Sequence, residues 1–236
     1  MTYARFAMAQ SYRFRGGSAR VGAWHGRTDV ASLVLRGETP PTCRALERML
    51  DRLRAAGFRE VITNALAPAT SLPFVDAGFA VRGRLHLLSY DLSSVPPKST
   101  RTRRALRSDR ASILDVDHGA FEEFWRFDEP ALHDARRATP HTHVRVAPKR
   151  GDIAGYGLFG RAGLSGYVQR LAVAPAQQGA GLGRALLIDG LIWMRAHGAT
   201  RALVNTQENN ARALDLYTAT GFSRLPVGLC VLGREL

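Results

Sequence analysis

Cysteine and lysine are scarce in this chain of 236 residues. Its two cysteines, Cys43 and Cys230, stand far apart, in none of the spacings that hold a metal or run redox chemistry. That argues against a disulfide-stapled scaffold and a zinc module. Two unpaired thiols fit a reducing compartment, so the expected location is the cytoplasm. Long apolar runs are missing: none approaches the roughly 18 residues that cross a bilayer. The opening "MTYARFAMAQSYRFRGG" lacks the apolar core of about 7–15 residues that marks a signal peptide. Acidic charge is also short, 20 residues against 33 basic ones, for a net charge of +13. Lys98 and Lys149 are the only lysines, so nearly all of that charge is arginine. The arginines are spread along the chain without interleaved aromatics. They read as a solvated surface rather than a nucleic-acid face. The exception is "KSTRTRRALRSDR", Lys98 to Arg110.

What is present is an alternation of strand and helix patterns on both sides of a break. "SSVPPKSTRTRR" combines Ser, Pro and like charges, which resist packing, and reads as a linker. The expected division is residues 1–93, a basic linker at 94–110, and a domain at 111–236. Before the break, "SARVGAW" and "DVASLVL" read as strands. "CRALERMLDRLRAAG" reads as an amphipathic helix with Leu46, Met49, Leu50 and Leu53 on one face. The strand "REVITNAL", a short helix ending in "FVDAGF" and the long strand "AVRGRLHLLSYDL" follow. After the break, "SILDV" is expected as a strand, and "GAFEEFW" and "EPALHDARRA" as short helices. Three strands come next, "HVRVAP", "DIAGYGLFG" and "GYVQRLAVAP". A buried helix from Leu182 to His197, the strand "RALVNTQ", the helix "NARALDLYTATGF" and the strand "GLCVLGREL" complete the chain. Aligned on Gly78-Phe79 and Gly221-Phe222, the element order of the two halves matches, which indicates a duplication with a shortened first copy.

"VAPAQQGAGLGRALL" carries the chemistry. Gly179, Gly181 and Gly183 alternate and then feed a helix. Backbone N–H groups and the helix dipole at such a turn make a site for phosphate. The spacing G-x-G-x-G is not that of a dinucleotide fingerprint. Arg184 and Ala185 after Gly183 replace the Lys-Ser/Thr of a P-loop.

"LAVAPAQQGAGLGRALL" resembles the acetyl-CoA-binding segment of the GNAT superfamily of N-acetyltransferases, through Leu171, Val173, Pro175, Gln178, Gly179, Gly181 and Gly183. A second segment matches through Asn210, Ala213, Leu216, Tyr217, Gly221 and Phe222. The resemblance covers roughly residues 112–236, and two-copy GNAT chains offer a looser likeness for the whole. It implies an α/β fold: a mixed, mostly antiparallel sheet with flanking helices, a full C-terminal copy and a truncated N-terminal one. It implies acetyl-CoA as co-substrate, bound by Leu171, Ala172, Val173, Gln178, Gly179, Ala180, Gly181, Leu182, Gly183, Arg184 and Asn210. It implies direct attack of an amine on the thioester, with Tyr217 as the acid for the departing thiolate and a backbone N–H near Val173 for the oxyanion.

No general base stands out. Gln169 cannot take a proton, and Glu122, Glu123, Asp128, Glu129, His133 and Glu208 are all open candidates. His141 and His143 share a strand face but lack a third ligand, so no metal is expected. In the first copy Phe74 stands where Tyr217 stands in the second, and "RGETPPTCRAL" replaces the glycine turn with two prolines. The first copy is therefore expected to bind no acetyl-CoA. The leading expectation is N-acetyl transfer to a primary amine of a small metabolite or a protein, with neither membrane nor nucleic acid as partner. The alternatives are a CoA-binding regulatory module without turnover, and nucleic-acid association through the basic linker. Oligomeric state is left open.

Overall fold

The computed structural model describes residues 10–37, 39–97, 102–149 and 151–236. Two compact units emerge: Met1–His86 with Gln207–Asn209 and Pro226–Leu236, and Leu87–Thr206 with Asn210–Leu225.

In the first unit, β1 (Gln10–Phe14), β2 (Gly17–Trp24) and β3 (Arg27–Arg36) form an antiparallel meander. The helix α1 (Cys43–Ala55) crosses over to β4 (Glu60–Thr63), which runs parallel to β3. Thr42 starts α1 by accepting a hydrogen bond from the Ala45 N–H at 3.3 Å. The α1 pattern is as expected: Leu46, Met49, Leu50 and Leu53 are buried, in one cluster with Leu33, Val61 and Phe74. Then come α2 (Pro68–Asp76) and β5 (Ala80–Asp91), whose first part, to His86, belongs to this unit. The sheet is closed by a strand from the far end of the chain. β12 (Leu229–Glu235) lies between β4 and β5 and is antiparallel to both.

The second unit begins with the rest of β5. Its other strands are β6 (Arg103–Arg104), β7 (His141–Lys149), β8 (Asp152–Ala162), β9 (Ser165–Val173), β10 (Arg201–Gln207) and β11 (Ser223–Arg224). The sheet order is β6-β7-β8-β9-β10-β5, antiparallel from β6 to β9 and parallel between β9 and β10. One face carries α5 (Leu182–Ala196) and α6 (Ala211–Thr220), over a cluster that includes Phe159, Val168, Leu187, Leu191 and Tyr217. The other carries α3 (Arg110–Ala120) and α4 (Glu129–Ala135), over Val146, Tyr156, Leu158 and Ala172. This is a mixed, mostly antiparallel α/β architecture built twice, the first copy showing no counterparts of α3 and α4 among the described residues.

Three expectations need correction. "SILDV" is not a strand but part of α3, because Ile113, Val116 and Asp117 are buried at a helical three-and-four spacing. "GAFEEFW" is no helix of its own: Gly119 and Ala120 end α3, and Glu123–Trp125 form a single 3-10 turn. The basic stretch is not a linker where it is described, and residues 98–101 lie outside the described residues. Thr102 and Asp109 are buried, β6 pairs with β7, and Asp109 accepts two hydrogen bonds from Arg103 at 2.7 and 2.8 Å. One acidic residue in the run pairs the charge that would otherwise hold it in solvent. The division at 93/94 and 110/111 also differs from the compact units, because β12 joins the first unit and the second part of β5 the second.

Candidate functional site

The glycine turn and the end of β9 form one construction in the second unit. The β9–β10 ladder starts at Ser165–Arg201 and stops at Val168–Val204. The β8–β9 ladder continues to Gly155–Val173. A β-bulge causes the divergence: Phe159 faces Val168 and Leu158 faces Arg170, so Gln169 is the extra residue. A bulge bends its strand and increases twist, and here it turns β9 away from β10. Gln169–Val173 thus present a backbone edge with no strand beside it among the described residues. An extended, amide-bearing arm can add to such an edge as a strand would.

The chain then folds into a 3-10 turn, Pro175–Gln177. Gly179 and Gly181 take left-handed φ of 80° and 76°, which glycine adopts without a steric penalty. Gly181 caps α5 without a side-chain hydrogen bond. The first intrahelical acceptor there is the Gly181 carbonyl, taken by the Ala185 N–H at 3.0 Å. The N–H groups of Leu182, Gly183 and Arg184 therefore have no acceptor within the helix. Gly183 also sits close to α6: a Cβ there would meet Leu216 Cδ2 at 3.3 Å.

The predicted residues divide by what their side chains do. Leu171 and Val173 lie on the open edge, half-buried. Ala172 and Leu182 point into the core and can offer a ligand only their backbone. The Gln178 amide donates to the Val173 carbonyl at 3.0 Å, so it braces the turn against the strand. Gly179, Ala180 and Arg184 are exposed, and Arg184 makes no ion pair with any described residue. The Asn210 side chain accepts from the Ala213 N–H at 3.1 Å, so it is the N-cap of α6.

Tyr217, on α6, is 6% exposed. It packs in the same cluster as Val168, with Leu171 against that cluster, and its ring lies 5.6 Å from that of Phe222. Its hydroxyl forms no hydrogen bond with a described residue. Burial pushes its pKa up, partly offset by the Arg170 charge, so the phenol holds its proton at neutral pH.

Sequence reasoning missed the network beneath β9. Asp117, fully buried on α3, accepts from Arg170 at 2.7 and 2.8 Å, from the Tyr156 hydroxyl at 2.5 Å and from the Phe127 N–H at 2.7 Å. Arg170 also donates to the Trp125 carbonyl at 2.6 Å and lies over the rings of Phe121 and Phe127, 3.4 and 4.0 Å from their centroids. The bulge is thus fixed from the side opposite Tyr217. Nothing in the sequence sets Asp117 apart from Asp115 two residues before it.

The candidate bases find structural uses or stay at the surface. Asp128 caps α4 through the Ala131 N–H at 2.7 Å. Glu129 pairs with Arg110 at 2.8 Å, both exposed. Glu208 belongs to the first unit, 4.0 Å from His86. Glu122 precedes the 3-10 turn and His133 lies in the last turn of α4. His143 stacks on Trp193 with centroids 5.0 Å apart. Burial, aided by Arg145, lowers its pKa to about 4. Among the described residues no group of three or more His, Cys, Asp or Glu could hold a metal.

The first copy closes the same place. Its β3–β4 ladder ends at Leu33–Thr63, but Asn64 then binds β3 twice. Its N–H donates to the Leu33 carbonyl and its side-chain oxygen accepts from the Leu35 N–H, both at 3.0 Å. The edge left open in β9 is filled in β3. Phe74 is fully buried, edge-on to Phe79 at 5.2 Å.

The site thus consists of a strand splayed from its parallel neighbour and a glycine turn opening a helix. The Acetyltransferase (GNAT) family matches residues 110–222, and that stretch is a GNAT-family acetyltransferase domain. The chain is 30% identical over 203 residues to a mycothiol acetyltransferase of Amycolatopsis mediterranei, covering 76% of this chain and 66% of that protein. It is 34% identical over 186 residues to one of Frankia alni, covering 67% and 55%. The chain thus spans no more than 66% of these relatives. Its fold is similar to a tandem GNAT protein from the clavulanic acid biosynthesis pathway, with TM-score 0.66, 14% identity and coverage of 93% and 79%. It is also similar to a GCN5-related N-acetyltransferase from Kribbella flavida, with TM-score 0.64, 15% identity and coverage of 95% and 89%.

Proposed function

We propose that the second unit transfers an acetyl group from acetyl-CoA to a primary amine, with one cofactor site per chain. The observation that carries this is the open β9 edge, Gln169–Val173, leading directly into the left-handed glycine turn. In this reading the pantetheine arm adds to that edge. The pyrophosphate lies on the N–H groups around Gly181–Arg184, with the Arg184 charge beside it. The thioester then lies near the bulge, on the cluster that holds Tyr217. The amine nitrogen attacks the thioester carbonyl and a backbone N–H near Val173 receives the oxyanion. The C–S bond breaks as the thiolate takes the Tyr217 proton; the attacking nitrogen sheds one proton to solvent, and a proton from solvent returns to the Tyr217 phenolate, so no net proton is gained or lost by the protein. A thiol pKa of about 8.5 lies below the phenol's of about 10, so this transfer needs a site that also destabilises the free thiolate. Burial disfavours both the phenolate and a free thiolate, so the proton stays on Tyr217 until the leaving group needs it. The names of the curated relatives support a small-molecule acceptor of mycothiol-related chemistry over a protein amine.

The first test is a thermal-shift titration with acetyl-CoA, CoA and NAD in parallel. Saturation at 100 times Kd adds about 2.7 kcal/mol. A shift with both CoA species but not NAD supports the reading, and no shift with either would overturn it. Tyr217→Phe removes a hydroxyl that has no hydrogen-bond partner among the described residues. It should keep CoA affinity and slow acetyl transfer by about 10²- to 10⁴-fold. An unchanged rate would remove Tyr217 from the chemistry.

A further inference from the structure

The first unit contains a cavity of about 210 Å³ between β1 and α1, lined by Tyr12, Phe14 and Met49 together with Arg13, Arg48 and Arg52. Arg13 and Arg48 make no ion pair or hydrogen bond through their side chains with any described residue. Arg52 lies over the Tyr12 ring, 5.8 Å from its centroid. The two acidic residues of α1 are engaged elsewhere: Glu47 with Arg234 at 2.9 Å and Asp51 with Arg54 at 2.8 Å. The first nine residues of the chain, which precede β1, contain no acidic side chain. Arg48 and Arg52 are one helical turn apart, an arrangement that is repulsive for like charges.

The duplication shows what this place holds in the other copy. Leu33, at the end of the β3–β4 ladder, matches Val168, at the end of the β9–β10 ladder. Following the strand registers outward, Val21 matches Phe159 and Tyr12 matches Arg145. On the helices, buried Leu46, Leu50 and Leu53 match Leu187, Leu191 and Met194, which places Arg48 at the position of Asp189. In the second unit Asp189 is 3% exposed and pairs with Arg145 at 2.7 Å. Thr102 joins both. One copy fills this place with its own carboxylate, whereas the other lines it with arginine and leaves space.

We propose that this cavity of the first unit binds a small phosphate monoester carrying an aromatic or apolar body. Arg48 and Arg52, one turn apart on α1, offer two forks that suit a group with near-double charge, and the Tyr12, Phe14 and Met49 walls suit the body. The volume lies below the roughly 300–1,000 Å³ of drug-sized sites, which limits the body to about one ring. The proposal is independent of the acetyltransferase reading.

The test is calorimetric titration of the 236-residue chain with phenyl phosphate, inorganic phosphate and benzyl alcohol as probes. Phenyl phosphate should bind one-to-one with Kd of about 1 mM or tighter, inorganic phosphate more weakly, and benzyl alcohol not measurably. Arg48→Glu should weaken phenyl phosphate at least about tenfold. Arg44→Glu, the same charge change on the same helix outside the cavity, should change it less than about twofold. Arg52→Ala repeats the test without charge reversal, should Arg48→Glu fail to fold. Equal weakening by Arg44→Glu and Arg48→Glu, binding untouched by either cavity variant, or no heat up to about 10 mM would overturn the proposal. If phenyl phosphate instead occupies the glycine turn, Gly181→Asp abolishes binding and Arg48→Glu does not. That outcome also overturns this site while supporting the other.

Discussion

Asp117 gathers four hydrogen bonds, from Arg170, Tyr156 and the Phe127 backbone. An amide in its place keeps the shape and removes the counter-charge, leaving the Arg170 guanidinium, 11% exposed, without a charged partner. Removing one member of a buried ion pair costs about 3–5 kcal/mol. Asp117→Asn should therefore lower the urea midpoint markedly, and a midpoint within error of the parent would mean that Trp125 and the two Phe rings suffice for Arg170. Tyr217 and the glycines were legible in the sequence because each belongs to a short local motif. Asp117 was not, because its partners lie 39 and 53 residues away. Nothing in a five-residue window marks a carboxylate for burial.

Elements were legible where their period ran long. α1 and α5 show their apolar faces over three or more turns and were read correctly. "SILDV" is too short for a period of two to be told from 3.6, and the wrong choice turned the first turns of α3 into a strand. The β9 bulge had no signature at all, since a bulge is a relation between two strands. Its consequence is the open edge before the turn, on which the proposed role of the glycines depends. Gly181 is the point at which turn becomes helix, with φ of 76°. Gly181→Asp places both a strained side chain and a negative charge there. CoA affinity should fall by at least about 100-fold, roughly the 2.7 kcal/mol that two such effects readily supply. Undiminished affinity by titration would put the phosphates elsewhere.

At the scale of the molecule, the duplication was legible but the route of the chain was not. Matching halves suggested a first copy at residues 1–93 and a second at 111–236, joined by a linker. Instead, the first sheet takes β12 between β4 and β5, and the second takes Leu87–Asp91 of β5 next to β10. Strand pairing at such distance leaves no trace in local composition. A fragment of residues 111–236 lacks β5 altogether and carries a β12 without β4 or β5 to pair with. It should be insoluble or molten, seen as dye binding to exposed apolar surface and loss of a cooperative melt, whereas a well-folded fragment would show the exchange to be dispensable. The exchange also orders events during synthesis. A ribosome adding about 5–20 residues per second has β4 finished for roughly 10–30 seconds before β12 emerges. Throughout that wait the nascent first half holds an unfilled slot in its sheet, a natural target for chaperones and a place where two chains made side by side could trade strands.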